Sequence, residues 1–167
     1  MTIRTTERLV IRDLNPEDAR NIFLLNSDPE VLRYTGDQPF ADEEAAAWWI
    51  ANHRSRLPHG IGRWSVELRE GLWVGRCSLR RDGAGGTEMG YRLLRENWSK
   101  GYGTELARAL IELAFSHEDV LYVVSKVAPG NTASIRVLEK CGARFWEEGP
   151  CERFNDALIY RMDRPPR

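Results

Sequence analysis

No block of lysine or arginine occurs anywhere in this chain, and basic and acidic residues nearly cancel, 24 against 25, for a formal net charge of −1. A nucleic-acid or anionic-membrane partner therefore has no electrostatic footing, and small molecules or proteins are the expected partners. Long apolar runs are missing too. The first thirty residues hold no stretch of signal-peptide length and no run is long enough to span a bilayer, so a cytoplasmic location is expected. Cysteine is scarce: Cys77, Cys141 and Cys151 are an odd number at unrelated spacings, which fits neither a disulfide framework nor a zinc ribbon. His53, His59 and His117 lack the carboxylate or cysteine company of a metal site, so no metal is expected. No repeat or low-complexity linker divides the chain, whose 167 residues suit one domain over 1–167, with 164–167 (R-P-P-R) as a short tail.

What is present reads as an ordered series of elements. R-L-V-I-R-D-L alternates with period two and predicts a strand, followed by a helix in which Asn15 caps and Pro16 opens. Asp28 to Tyr34 predicts a helical turn, and Asp42 to about Arg56 a longer helix stopped by Pro58 and Gly60. R-W-S-V-E-L-R, L-W-V-G-R-C-S-L-R and E-M-G-Y-R-L-L follow as an antiparallel meander. Tyr102, Leu106, Ala109, Leu110 and Leu113 then share a helical face, opposite Glu105, Arg108, Glu112 and Ser116. V-L-Y-V-V-S-K-V-A is apolar enough for a central strand buried on both faces, entered by a parallel crossover. A helix capped by Asn131 and ended by Gly142 precedes two last strands, A-R-F-W-E and A-L-I-Y-R-M-D. The fold class is α+β with a mixed sheet.

The stretch W-S-K-G-Y-G-T-E, between a strand and an amphipathic helix, is either a tight turn or an anion site made of free helix N-terminal N–H groups. It lacks the spacer and the Gly-Lys-Ser/Thr ending of a P-loop. It also fails as a dinucleotide fingerprint, because Leu106 stands where the third glycine belongs and no acidic residue ends the next strand.

The wider constellation is more specific. T-E-R-L-V-I-R-D-L, E-M-G-Y-R-L, W-S-K-G-Y-G-T-E and N-T-A-S-I-R-V-L-E-K-C-G resemble, along nearly the whole chain, the GCN5-related N-acetyltransferase (GNAT) superfamily and its RimJ/RimL-like branch. The resemblance implies a single GNAT-like domain, with a mostly antiparallel sheet of about seven strands flanked by helices and a V-shaped cofactor cleft. It implies that acetyl-CoA serves as acetyl donor, that Ser99, Lys100, Gly101, Tyr102, Gly103 and Thr104 wrap its diphosphate, and that the backbone of Tyr91, Arg92 and Leu93 pairs with the pantetheine arm. Trp98 departs from the general family pattern, which begins with glutamine or arginine, and matches the narrower branch; a packing role is the other reading.

Several residues carry two readings. Asn131 is a helix cap on type and position and, by the resemblance, a cofactor contact. Ser134 is an ordinary first-turn residue or, by the resemblance, lies near the CoA sulfur as proton donor. Glu88 is a solvated strand end or, by the resemblance, the general base; alternation sets it with Gly90 and Arg92 on one face, opposite Met89 and Tyr91. Trp48 and Trp49 point about 100° apart, so one is core and the other walls the acceptor pocket, lies on the surface or meets a dimer partner. Arg33 and Tyr34 fall in the family's variable acceptor-side segment. The implied function is transfer of acetyl to a protein N-terminal or small-molecule amine in a ternary complex, possession of a homodimer being common in such a family; the alternative is a non-catalytic acyl-CoA-binding protein of the same fold.

Overall fold

A computed structural model describes residues 1–52, 62–151 and 154–166. Its sheet has the strand order β1-β2-β3-β4-β5-β6-β8-β7, from β1 (Thr2–Thr5), β2 (Leu9–Asp13), β3 (Gly62–Leu68), β4 (Trp73–Arg81), β5 (Gly86–Leu93), β6 (Tyr122–Val127), β7 (Arg144–Gly149) and β8 (Ala157–Asp163). Every neighbouring pair is antiparallel except β5 and β6. The eighth strand, beyond the seven expected, is β1, whose T-I-R-T has one apolar residue and hence almost no alternation to read. The helices are α1 (Ala19–Leu25), α2 (Pro29–Leu32), α3 (Glu43–Asn52), α4 (Tyr102–Phe115) and α5 (Thr132–Lys140). The proposed end of α3 near Arg56, with Pro58 and Gly60, lies outside the described residues, as do His53 and His59.

The two faces of the sheet are built differently. Leu9 and Ile11 of β2, Trp64 and Val66 of β3, Cys77 and Leu79 of β4, and Met89 of β5 point one way and bury against Leu106, Ala107 and Leu110 of α4. The opposite face is polar where it meets α1 and α3. There Asp18, only 3% exposed, accepts from both Nη atoms of Arg12 at 2.8 Å, from the Asn15 N–H at 2.8 Å and from Ser65 Oγ at 2.8 Å. The Trp73 indole in turn donates to Ser65 Oγ at 3.0 Å. Burial alone would raise the Asp18 carboxyl, but these donors overcome it and hold it below the usual carboxylate range. A small second core of Ile22, Leu25, Ala46, Ile50 and Trp73 sits above this network.

Two expectations are corrected. β6 is not buried on both faces: only Val123 and Val127 of its six residues are buried, on the core side, while Tyr122, Val124 and Lys126 alternate onto the other, less covered face. The tail is anchored at its first residue, since Arg164 donates to the carbonyls of Phe115, His117 and Val120 beyond the end of α4. Its guanidinium thereby satisfies carbonyls that the helix end leaves open.

Candidate active site

The parallel ladder between β5 and β6 pairs Gly86 with Tyr122, Thr87 with Val123 and Glu88 with Val124, and stops. Yet β5 continues to Leu93 along β4, and β6 to Val127 along β8. Two strands held on their outer sides and released from each other must diverge, and a cleft of about 240 Å³ opens between them. Which backbone groups face it follows from the ladder. The bonds Asp82 N–H to Gly86 O (3.1 Å) and Leu94 N–H to Val74 O (2.9 Å) fall on even positions of the β5 segment. In an antiparallel pair such bonding alternates, so Glu88, Gly90 and Arg92 turn their backbone toward β4, and Met89, Tyr91 and Leu93 turn theirs toward the cleft. The Leu93 carbonyl is taken by the Trp98 indole at 2.9 Å. Trp98 thus closes the end of an open strand edge, the kind of template on which an extended amide chain adds as a further strand. The expectation for Arg92 is corrected by the same alternation. Its backbone belongs to β4, while its guanidinium holds Asn26 Oδ1 at 3.0 Å and the Asp37 carboxylate.

Just beyond β5 the chain makes its glycine turn; none of Ser99 to Thr104 lines the cleft, and Gly101 and Thr104 line a separate hollow with Arg8 and Glu105. Ser99 has φ 59° and Gly101 φ 84°, left-handed positions on either side of Lys100, a concave arc of the kind that presents successive N–H groups to an anion. Helix α4 begins at Tyr102, and the Glu105 N–H is bonded to Gly101 O at 3.1 Å. The N–H groups of Tyr102, Gly103 and Thr104 belong to the first turn, which has no intrahelical acceptor for them. Only Gly101 needs to be glycine for its φ; Gly103 is helical, and a Cβ there would meet the Tyr91 ring and hydroxyl at an ordinary 3.5 Å.

A carboxylate in that first turn would repel an anion, and Glu105 is there. Its charge is compensated in place by Thr6 Oγ1 at 2.5 Å, the Arg8 N–H at 2.8 Å and Arg8 Nε at 2.7 Å. Burial works to raise the Glu105 carboxyl, and these hydrogen bonds outweigh it and keep it below its ordinary value. Arg8 also donates through Nη1 to Lys100 O at 2.9 Å, so one residue of β2's approach fixes both the helix start and the turn before it.

Across the cleft, Asn131 Oδ1 accepts from the Ser134 N–H at 3.2 Å, so the cap expected from the sequence is formed. Gly142, with φ 90°, ends α5 as expected. Ser134 and Asn131 both line the cleft. The Tyr91 hydroxyl is within interaction range of the Ser134 side chain, and burial pushes it up to about 12, with Ser134 opposing. This second place for Tyr91 was missed in the sequence reading, which used only its backbone. Alternation already aimed its side chain at α4 and α5, away from Glu88.

The other face of β5 carries Glu88, whose Oε2 lies 3.0 Å from Arg80 Nη2 and 3.6 Å from Lys126 Nζ. It is therefore an ion-paired cleft residue, not a solvated strand end. Trp48 is 65% exposed, while Trp49 packs on the second core and lies 5.1 Å and 6.0 Å from the guanidinium carbons of Arg76 and Arg63. Tyr34 reaches the cleft lining and Arg33 does not. Arg63, Arg76, Arg80 and Lys126 also line it, and none was singled out beforehand. The signal was available in R-C-S-L-R, where period two puts Arg76, Ser78 and Arg80 on one face.

The sheet opens at one parallel pair, and a left-handed turn and a helix N-terminus follow the end of the opened strand β5. The family is settled by comparison. The model of the acetyltransferase (GNAT) domain matches residues 8–144, and the chain belongs to that family and is an N-acetyltransferase. It is 33% identical over 148 residues to the uncharacterized N-acetyltransferase p20 of Bacillus licheniformis, covering 86% of this chain and 82% of that one. A GNAT-family acetyltransferase from Bacillus anthracis superposes with a TM-score of 0.82 at 25% identity, over 98% of both chains. The Vibrio cholerae spermidine N-acetyltransferase, solved with CoA and spermine, shares the fold with a TM-score of 0.77 at 19% identity, over 93% of this chain and 94% of that one. Among the described residues no helix is long and apolar enough to cross a membrane.

Proposed function

We propose that the chain moves the acetyl group of acetyl-CoA to a primary amine by direct attack, with donor and acceptor held together in the cleft. The observation that carries this reading is the divergence of β5 from β6 beyond Glu88 and Val124, with the left-handed turn and the first turn of α4 following directly on β5 in the chain. Tyr91 and Leu93 would bond the amides of the pantetheine arm. The N–H groups from Ser99 to Thr104, with Lys100 beside them, would take the diphosphate, and Asn131 and Ser134 the opposite wall. The Met89 N–H, at the apex of the opening, serves the developing oxyanion.

The amine nitrogen forms a bond to the thioester carbon as the carbon–sulfur bond breaks. Its surplus proton passes to Glu88, directly or through one water, and the departing thiolate is protonated from Ser134, with the Tyr91 hydroxyl behind it. Acceptor basicity sets the demand on Glu88. With a reference pKa of ~7.7–8.0, an α-amine costs roughly 1 to 1.4 kcal/mol to deprotonate at pH 7, against roughly 4.6 kcal/mol for a lysine side chain. Protein N-termini and small-molecule α-amines are thus the easier acceptors.

The test is a thermal-shift titration with acetyl-CoA and CoA, followed by thiol release against a panel of amines. A ligand at one hundred times its dissociation constant adds about 2.7 kcal/mol, or roughly 5–11 °C in Tm for a chain of this size. Stabilisation with thiol release supports the reading. Stabilisation without release from any amine favours the non-catalytic binder, and no stabilisation at all removes the cleft from CoA binding.

A further inference from the structure

We infer that Lys126 is an acceptor built into the chain: with acetyl-CoA in the cleft and no other amine bound, its side-chain nitrogen takes the acetyl group. This rests on the acetyltransferase reading above. Of the 24 basic residues three are lysines, Lys100, Lys126 and Lys140. A guanidinium does not give up its proton in proteins, whereas a lysine ammonium does and becomes a nucleophile. Lys100 and Lys140 are exposed. Lys126 lines the cleft, with its side chain 28% exposed.

The strands fix its place. The parallel ladder ends where Glu88 pairs with Val124, and Lys126 stands two residues further along β6, on the same face as Val124. Its backbone is paired there with Ile159 of β8. The side chain reaches back across the opening, and Nζ lies 3.6 Å from Glu88 Oε2. This face is the one turned away from Met89, α4 and α5, so Tyr91 and Ser134 stand on the donor's side of the cleft, and Glu88 and Lys126 on the acceptor's.

A general base works on an amine about 2.6–3.2 Å away, or one water removed. Nζ of Lys126 is close to that distance before any acceptor arrives. Arg80 Nη2 holds the same carboxylate oxygen at 3.0 Å, so Glu88 keeps a cationic partner when Lys126 turns toward the thioester. Because nitrogen and base belong to one chain, the encounter with bound acetyl-CoA is first-order, and proximity favours it over attack by any exposed lysine.

The Lys126 ammonium gives one proton to Glu88, which releases it to solvent. The neutral nitrogen then bonds to the acetyl carbon as the carbon–sulfur bond breaks with its electron pair on sulfur. The second proton that the nitrogen sheds is balanced by the one the thiolate gains, leaving acetyllysine and CoA thiol. The amide carries no charge and no nucleophilic lone pair, so the reaction stops at one acetyl on this residue.

Intact and peptide mass spectra, taken before and during incubation with acetyl-CoA alone at several protein concentrations, test this. Lys126 should gain one acetyl with a rate constant independent of protein concentration and about tenfold or more above that of Lys140. Lys100 and Lys140 report uncatalysed acetylation, and in urea-unfolded protein the three should label alike. Lys126→Arg should abolish the adduct, with a CoA-induced rise in Tm showing that the variant folds. Glu88→Gln should bring Lys126 down to the Lys140 rate. A Lys126 that labels no faster than Lys140, or with a rate constant that grows with protein concentration, or equally fast in Glu88→Gln, overturns the inference; thiol release to an added amine by the same protein leaves the acetyltransferase reading standing. No acetyl on Lys126 and no thiol release to any amine, with CoA still raising Tm, overturns both.

Discussion

Replacing Asp18 by Asn removes the charge that ties the first helical segment to the sheet, and the loss can be sized from its contacts. Asp18 accepts four hydrogen bonds, two of them from Arg12 and one each from the Asn15 N–H and Ser65 Oγ. Breaking one partner of a buried ion pair costs about 3–5 kcal/mol. Arg12 keeps Glu67 at 2.7 Å and the Asp13 carbonyl at 2.9 Å, so its charge is not left bare and the low end applies, about 3 kcal/mol. For a chain of this length that is roughly 6–12 °C in Tm. The pH dependence has a definite sign. The folded Asp18 value is depressed, so its stabilisation is fully present above the unfolded carboxyl value of about 3.9 and is lost as pH falls through the folded value. The gap between wild type and Asp18→Asn in urea unfolding should therefore be widest near pH 7 and shrink below about pH 4. A gap under about 1 kcal/mol at pH 7, or one that grows on acidification, would refute this account of the network.

Gly101→Ala places a side chain at φ 84° and 3.2 Å from Arg8 Nη2, so CoA affinity by calorimetry should fall about tenfold, for a left-handed penalty of about 1–2 kcal/mol; an unchanged affinity counts against the turn as a diphosphate site. Tyr91→Phe and Ser134→Ala should each lower kcat at saturation, by about tenfold or more, while CoA affinity changes little. Because Tyr91 is pushed up to about 12, it stays protonated through the assay range, so the wild-type pH–rate profile should show no descending limb from it below about pH 11. Glu88→Gln should reduce kcat by about a hundredfold without weakening CoA binding, and full activity in that variant would remove Glu88 from proton transfer.

How far the residues announced this arrangement depends on the range of the interactions involved. Asn131 and Gly142 act on backbone groups a few residues away, and both were readable as the two ends of α5. The face assignment of Glu88 against Tyr91 followed from strand alternation alone. The Asp18–Ser65 contact joins residues 47 apart, and no local pattern marks it. The cleft itself is an absence of pairing between β5 and β6, which leaves no periodic trace; the apolar run from Val120 suggested a strand covered on both sides. Trp98 carried a packing reading, and the hydrogen bond from its indole to Leu93 O is one that only the turn geometry reveals. The row Arg63, Arg76, Arg80 was visible as charge but not as a wall, because its meaning depends on three strands lying in register.

The most direct measurement is a crystal structure of the protein with CoA. The account predicts the pantetheine arm between β5 and β6, its amides bonded to the backbone of Tyr91 and Leu93, the diphosphate on the N–H groups between Ser99 and Thr104, and the sulfur beside Ser134. Well-ordered CoA lying outside the opening beyond Glu88 and Val124, or a diphosphate bound away from α4, would contradict it.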